Sequence, residues 1–266
     1  MRRKAHGDGD SGTSGEYGTR VDMHVKLLDD RVVARAKAHG IDVLVYAPHF
    51  TRLSDIRARA RSFTDDDLLV VPAREVFTGP WHDRKHVLAI GLTDPVPDFI
   101  TLGGAIEEFE RQGAAVLVPH PELLNVSLSI DEIRRYRDAV DAVERYNAKC
   151  LPSQNRTMRR IVRETGLPAF GSSYAHLRST VGEVWTTFDA RIDDEADLVR
   201  ALREGTPRRV MRRSGVGHRL RELAEFAHLG YENTWEKLDR LLLSGMEPTH
   251  PAHIAYLGRF DDVAVY

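Results

Sequence analysis

The sequence predicts an α/β barrel built around a mostly parallel sheet. From Thr19 onward, short β-branched apolar runs alternate with helical stretches, which is the pattern of a parallel sheet wrapped by helices. Seven or eight strands with mostly helical crossovers fit a closed barrel better than an open sheet. An open doubly wound sheet is the alternative that this pattern leaves.

The strands are predicted from short apolar runs bounded by turn residues. The link between the third and the fourth run is too short for a helix, so a hairpin or an irregular connection interrupts the alternation there. The predicted strands are residues 20–25, 42–47, 68–76, 86–92, 115–119, 139–146, 168–172 and 182–188.

Four helices are predicted between these strands, at 30–38, 102–112, 129–137 and 155–165. The first, second and fourth end close to Gly40, Gly113 and Gly166, because glycine readily takes the left-handed conformation that ends a helix. The third begins with Ser129 and Glu132 at the spacing of a capping box.

Composition and hydrophobic pattern divide the chain into three regions. Residues 1–18 contain five glycines and little to pack, which predicts a disordered tail. Residues 19–210 hold the barrel. Residues 211–266 are predicted to form a helical C-terminal extension. Helices are predicted at 195–204, 216–229 and 233–243, and they are expected to pack through apolar residues such as Leu220, Leu223 and Leu238.

Composition excludes several classes of protein. The 266 residues are 42% apolar and contain one cysteine, so neither a disulfide framework nor a multi-cysteine metal site is expected. No apolar run is long enough to span a bilayer, and no signal peptide is evident, so we expect a cytoplasmic protein. The net charge of −2 argues against a wholly basic nucleic-acid binder but allows a local basic patch.

Histidines and one glutamate recur at the ends of the predicted strands. Because the carboxyl ends of parallel barrel strands meet on one face, we expect these side chains to converge there. Imidazole and carboxylate groups together suit zinc, iron or manganese, whereas a lone histidine after a strand is usually a hydrogen-bonded loop residue. The recurring residues are His24, His49, Glu75, His86, His120 and His176.

Six short segments in order resemble the motifs of the PHP (polymerase and histidinol phosphatase) family. They are DMH with His24, YAPHF with His49, REVF followed by HVLAIGL, VPHPEL with His120, VERYNA, and SSYAHL followed by VGEVW. The resemblance covers about residues 20–188. It implies a distorted, TIM-like (β/α)7 barrel with divalent metal ions at its carboxyl face and hydrolysis of phosphomonoesters or phosphodiesters.

The sequence departs from the family pattern at three positions. Lys26 replaces the second histidine of the opening motif, Pro48 replaces an aspartate, and Tyr174 replaces the aspartate of the closing motif. Lysine has no lone pair at neutral pH and repels a cation, so one metal position is expected to be empty, with the Lys26 ammonium in its place. His24 and Lys26 are therefore the predicted catalytic residues, which contact phosphate or hold the metal ligands in place.

One or two ions remain implied by the family pattern. Glu75, His86 and His120 match the ligand set of one ion. His49 and His176, with Asp29 or Asp30, are the predicted ligands of a second. The resulting function is a metal-dependent phosphoesterase that acts on a small phosphorylated substrate or a nucleic-acid fragment through metal-activated water.

The rival interpretation is a degenerate, non-catalytic barrel that binds RNA or a protein partner, as an RNA-processing subunit does. Its basis is a group of arginines able to neutralise phosphates. They are Arg208, Arg209, Arg212, Arg213, Arg219 and Arg221, and the first four are the predicted RNA contacts. A second arginine group at residues 156–163 has helical spacing and more often marks a solvated face. No aromatic residue interleaves with either group in sequence.

Overall fold

The structure is a computed structural model that describes residues 18–49, 51–80, 83–123 and 126–238. The predicted tail at 1–18 therefore falls almost wholly outside the described residues, and so does the end of the helix predicted at 233–243. Within the described residues, no helix is long and apolar enough to cross a membrane.

Nine strands and seven α-helices are present in the described part of the chain. The strands are β1 (Thr19–Val25), β2 (Val43–Tyr46), β3 (Leu69–Thr78), β4 (Lys85–Ile90), β5 (Ala115–Val118), β6 (Ala142–Asn147), β7 (Ala169–Ser172), β8 (Val184–Phe188) and β9 (Arg208–Arg212). The helices are α1 (Asp30–Ala38), α2 (Leu53–Phe63), α3 (Leu102–Arg111), α4 (Ile130–Arg135), α5 (Pro152–Thr165), α6 (Glu195–Arg203) and α7 (Val216–Leu238).

The nine strands form one mixed sheet in the order β7-β6-β5-β4-β3-β2-β1-β8-β9. Strands β1, β2 and β3 pair in parallel, as do β5, β6 and β7. Strand β4 runs antiparallel to both of its neighbours because the short β3–β4 connection can only form a hairpin, as the sequence predicted. Strand β8 runs antiparallel to β1, and β9 antiparallel to β8.

The two ends of this sheet approach each other around β7. The Gly171 backbone N–H in β7 donates to the Thr186 hydroxyl oxygen of β8 at 2.9 Å. A Cβ atom at Gly171 would collide with Val210 of β9, so only glycine allows β7 to pack this closely. Asp22 of β1 accepts from the backbone N–H groups of Ser173 and Gly182, which ties the end of β7 and the start of β8 to β1. The sheet is thus a nearly closed barrel, and the predicted fold is confirmed.

Apolar residues fill both surfaces of the sheet. One cluster lies inside the barrel and includes Val21, Val45 and Leu117, to which α6 adds Leu198 and Leu202. Two further clusters lie between the outer surface of the sheet and the surrounding helices. Because successive strand residues point to opposite surfaces, the same short strands supply both layers.

The C-terminal region differs from its prediction in two respects. Residues 216–238 form one helix rather than two, and Leu220 and Leu223 are each 61% exposed, so the predicted apolar packing of these two residues is wrong. Among residues 216–228, whose side chains the structure describes, the buried ones are polar, namely His218 and Glu225. Strand β9, which the sequence analysis missed, spans the predicted boundary at residue 210.

Candidate metal centre

Glu75 lies at the centre of a buried group of histidines. Its Oε1 atom is 3.1 Å from His120 Nε2 and 3.3 Å from His86 Nδ1. All three side chains are buried, and their ligand atoms lie within 4.8 Å of one another. Two nitrogens and one carboxylate oxygen at this spacing are a donor set suited to a divalent cation.

The second carboxylate oxygen of Glu75 faces different groups. Lys26 donates from its ammonium to Glu75 Oε2, and His49 Nε2 lies 2.6 Å from the same oxygen. His24 Nε2 is farther away, at 3.8 Å. We call the space beside Oε1, with His86 and His120, the histidine side of Glu75. The space beside Oε2, with Lys26, His49 and His24, is the lysine side.

Barrel geometry brings these residues together. His24 lies near the carboxyl end of β1, His49 and His120 follow the carboxyl ends of β2 and β5, and Glu75 lies within β3. His86 is near the start of β4 and pairs with Phe77 of β3. Because β4 is antiparallel, its start reaches the face where the parallel strands end. The structure brings these residues together, as the sequence predicts.

His120 is held in a defined orientation. Its Nδ1 atom is 2.8 Å from Ser127 Oγ, and the Ser127 hydroxyl donates its proton to the Leu123 carbonyl at 3.1 Å. In the neutral imidazole, Nδ1–H must therefore donate to Ser127, which leaves a lone pair on Nε2. That lone pair faces Glu75 Oε1, so two acceptors lie 3.1 Å apart unless a cation or a proton lies between them.

The buried carboxylate of Glu144 holds the backbone of His120 in place. Glu144 Oε2 accepts from the His120 backbone N–H at 2.6 Å and from the Asn147 side chain at 3.0 Å, while Oε1 accepts from the Ser172 hydroxyl. His120 itself has a positive φ of 32°, which is uncommon for a residue other than glycine. Glu144 and Asn147 belong to the VERYNA motif, but the motif alone does not predict that they support His120.

Burial and charge set the protonation of the centre. Burial alone would raise the pKa of Glu75, but the Lys26 charge and the surrounding imidazoles hold that pKa well below its usual value. Burial lowers the pKa of His86 to about 4 and, with the Lys26 charge, that of His49 to about 3. Burial lowers the pKa of Lys26 to about 8. An ionised carboxylate and neutral imidazoles are the protonation states that bind metals.

Orphaned nitrogens also fit a metal. Within the described residues, both ring nitrogens of His24 and Nε2 of His86 lack a hydrogen-bond partner, although both rings are buried. Buried polar atoms without partners are rare and call for a missing ligand, ion or water. The Glu75, His86 and His120 set therefore fits one divalent ion, with donors that suit Zn, Mn or Fe.

The lysine side contains two ammonium groups around one aromatic ring. The Lys26 and Lys149 nitrogens lie 5.5 and 5.3 Å from the centroid of Tyr174, whose ring is also 4.6 Å from that of His24. Sequence reasoning placed Lys26 and Tyr174 at one position, and the structure brings them together. Lys149 was missed because nothing local distinguishes it from a surface lysine.

Of the proposed ligands of a second ion, His49 and His176 lie near each other, but the aspartate does not join them. Asp29 is the N-cap of α1, where Oδ1 accepts from Arg31 N and Val32 N and Oδ2 accepts from Arg178. Both carboxylate oxygens are thus engaged at the surface, and Asp29 is not part of the buried group. The neighbouring alternative, Asp30, is an exposed residue in the first turn of α1. Asp29 stands directly before a helix, which was the available sequence signal for a capping role.

His176 lies at the edge of the centre. Its Nδ1 is 2.9 Å from the Tyr174 carbonyl oxygen, and its ring centroid is 6.2 Å from that of His49. Its loop is held by α7, because Glu225 Oε1 accepts from the backbone N–H groups of His176 and Leu177 at 3.0 and 2.8 Å. Sequence reasoning missed this contribution from α7, since 49 residues separate Glu225 from His176.

The four arginines predicted to contact RNA lie on or just after β9 and have different surroundings. Arg208 lies over the Phe188 ring at 5.2 Å, and Arg209 is exposed. Arg212 lies over the Tyr146 ring at 5.1 Å, and Arg213 donates to the carbonyl oxygens of Gly182 and His39. The RNA contact of this group stays a prediction.

Comparison with known proteins supports the same family. A family model described as PHP-associated matches residues 152–207. No curated protein matches the sequence. The fold resembles PsfC from Pseudomonas syringae with a TM-score of 0.59 at 18% identity, over 79% of this chain and 97% of that chain.

Two further solved structures share the fold. A two-domain Bacteroides vulgatus protein containing a predicted PHP-like metal-dependent phosphoesterase gives a TM-score of 0.55 at 16% identity, over 78% of this chain and 69% of that one. The lesion-specific endonuclease PfuEndoQ from Pyrococcus furiosus gives 0.54 at 15% identity, over 73% of this chain and 57% of that one. The predicted resemblance to the PHP family is thereby confirmed.

Proposed function

Because the chain has the PHP-type barrel and carries the PHP-associated segment, we propose that it is a metal-dependent phosphoesterase holding one divalent ion. The observation that carries this proposal is the facing pair of His120 Nε2 and Glu75 Oε1, 3.1 Å apart. Ser127 keeps a lone pair on that nitrogen in the neutral ring, and Glu75 is ionised. Such a pair is stabilised by a cation that both atoms bind.

Glu75, His86 and His120 would hold the ion. A bound divalent ion supplies Lewis acidity and lowers the pKa of a coordinated water toward neutrality. Glu144 and Ser127 would keep His120 oriented, as partners of metal-binding histidines commonly do. One ion rather than two is proposed, because Asp29 is engaged at the surface and Lys26 contacts the remaining oxygen of Glu75.

The lysine side would bind the phosphate group. The Lys26 ammonium is buried beside Glu75 and has a pKa of about 8, so it is mostly charged at neutral pH. A phosphate oxygen near this ammonium would gain a charge-assisted hydrogen bond. His49, with 29% of its side chain exposed, is accessible to a substrate, and His24 lines the wall beside Tyr174.

The alternative is a barrel that binds RNA or a protein partner without catalysis. Its support is the Lys26 contact with Glu75, because an ammonium at a ligand oxygen competes with a metal for that carboxylate. Under this alternative the centre is a buried ion-pair cluster, and the arginines on β9 carry the function.

A hydrolysis assay separates the two. Purified protein is tested with p-nitrophenyl phosphate and bis(p-nitrophenyl) phosphate, with Mn²⁺ or Zn²⁺ and after chelation. We expect metal-dependent turnover that His120→Ala abolishes and that His39→Ala preserves, because His39 lies outside the Glu75 group. Turnover that is absent from the wild type, or equal in His120→Ala, would refute the phosphoesterase.

A further inference from the structure

A basic pocket of about 520 Å³ opens where β8, β9 and the start of α7 meet. We call it the rim pocket. The residues that matter for its chemistry are Trp185, Arg212, Arg213, Val216, His218 and Arg221. Three of these six side chains are arginines, and the pocket is separate from the residues of the metal centre.

The rim pocket lies at the same end of the barrel as the metal centre. Strand β8 is antiparallel to β1, with Val21 beside Thr186, so the start of β8 lies at the carboxyl end of β1. Strand β9 reverses again, with Arg212 beside Val184. The end of β9 and the start of α7 are therefore on the face where His24 and Glu75 lie.

Positive charge exceeds negative charge around the pocket. Two carboxylates lie beside it: Glu183 pairs with Arg35 at 2.9 Å, Arg221 at 3.1 Å and His218 at 2.8 Å, and Glu222 pairs with His218 at 3.0 Å. Hydrogen bonds to Glu183 and Glu222 raise the pKa of His218 to about 9, so this imidazole is also a cation at neutral pH. Arg212 and Arg213 add two more charges. A concave surface with this excess favours an anion.

Aromatic rings from other strands hold two of these arginines in place. The Arg212 guanidinium lies 5.1 Å from the Tyr146 centroid, and that of Arg213 lies 5.9 Å from the Trp185 centroid. The sequence showed no aromatic residues among the arginines, because β6 and β8 supply them. Guanidinium groups fixed in this way lose less entropy when they bind phosphate, and their planes can stack on bases.

Helix α7 connects the pocket to the metal centre. His218 borders the pocket, and Glu225, seven residues later, accepts from the loop that carries His176. Seven residues of α-helix span about 10 Å at 1.5 Å per residue. The spacing of His218 and Glu225 along α7 is therefore comparable to that of about three nucleotides, at roughly 3.4 Å each.

We propose that the rim pocket binds a backbone phosphate of a single-stranded oligonucleotide whose reacting phosphate ester lies at the metal centre. Hydrolysis of the strand at the metal centre rests on the proposed function, whereas binding of the strand in the rim pocket does not. The inference extends that function by naming a nucleic-acid substrate. A small phosphomonoester would reach the metal centre without using the pocket.

The test measures binding without hydrolysis. Full-length protein is treated with chelator and titrated into a fluorescein-labelled twelve-nucleotide strand at several salt concentrations. The variant Arg212→Gln/Arg221→Gln leaves Glu183 paired with Arg35 and His218, and leaves Tyr146 bonded to Glu222. The matched control, Arg156→Gln/Arg163→Gln, removes the same charge from exposed residues of α5.

We expect the pocket variant to bind the strand at least about 10-fold more weakly and the slope of log K against log salt to fall by about 0.7, the value for one phosphate that is no longer neutralised. The control should stay within about 2-fold of wild type, as exposed charges distant from a site contribute little. Equal weakening in both variants, or none in either, would overturn the proposal.

Inorganic phosphate is added as a competitor to distinguish a pocket that binds the backbone phosphate of a strand from one that binds free phosphate. If it displaces the strand only at concentrations far above those of a second oligonucleotide, the strand assignment is supported. If phosphate alone saturates the pocket and no strand binds, the nucleic-acid assignment is refuted. Binding that persists in a protein without hydrolytic activity would support the pocket while removing the phosphoesterase, so the two failures are distinguishable.

Discussion

Lys26 donates from its buried ammonium to Oε2 of Glu75, while Oε1 of the same carboxylate faces His86 and His120. In the proposed phosphoesterase, this contact limits the centre to one metal ion. The ammonium neutralises one side of Glu75, and a divalent ion would bind on the other side.

Removing the intrinsic cation should destabilise the protein. Lys26→Met leaves the buried Glu75 charge without its partner, and breaking a buried ion pair costs about 3–5 kcal/mol. Urea unfolding of the metal-free protein at pH 7 measures the loss. The matched control is Lys37→Met, whose ion pair with Asp65 is exposed to solvent, so this substitution should change the free energy of unfolding far less than Lys26→Met does. A loss below 1 kcal/mol for Lys26→Met would show that Glu75 is not held by this pair.

The hydroxyl of Ser127 should control metal affinity. Ser127→Ala removes the acceptor for His120 Nδ1–H, so the ring is free to rotate or to change tautomer. Loss of such a partner weakens metal binding roughly 10- to 100-fold. Competition with a chromophoric chelator gives the dissociation constant. Ser153→Ala, an exposed substitution at the start of α5, is the control and should leave it unchanged.

Glu225 should act through the His176 loop. Glu225→Ala removes the acceptor for two backbone N–H groups and for the Thr180 hydroxyl. We expect amide hydrogen exchange at His176 and Leu177 to accelerate at least about 10-fold, with metal content unchanged. Glu225→Gln keeps an acceptor oxygen and should restore most of the protection. If the alanine variant exchanges at the wild-type rate, α7 does not hold this loop.

His218 should make stability depend on pH above neutrality. Its pKa is raised from 6.5 to about 9 in the fold by hydrogen bonds to Glu183 and Glu222. The stabilisation is therefore complete below pH 6.5 and is lost as the pH rises through about 9, amounting to about 1–3 kcal/mol. Free energies of unfolding between pH 6 and 10 test this. His218→Gln should abolish that part of the slope, and an unchanged slope would contradict the assignment.

The sequence specified the site better than its surroundings. His24, His49, Glu75, His86 and His120 were predictable together because barrel strands end on one face, so order along the chain implies proximity. Strand β9 was missed because none of its five residues is buried and four of them are arginine or methionine, so the segment shows no alternation of apolar and polar residues.

Helix α2 carried a local signal that was not used, because its apolar residues Leu53, Ile56 and Ala60 have helical spacing. Lys149 and Glu225 acquire their roles from partners far away in sequence, and residue type alone does not distinguish them from solvated charges. Asp29 shows the opposite error, where family resemblance outweighed a plain capping signal.

The most direct test of the account is to locate the bound metal. Crystals of protein loaded with Mn²⁺ or Zn²⁺ are measured at the absorption edge, and elemental analysis gives the stoichiometry. We predict one ion per chain, with Glu75, His86 and His120 as ligands at about 2.0–2.2 Å. An anomalous peak elsewhere, or a loaded protein that holds no ion between Glu75 and His120, would contradict it.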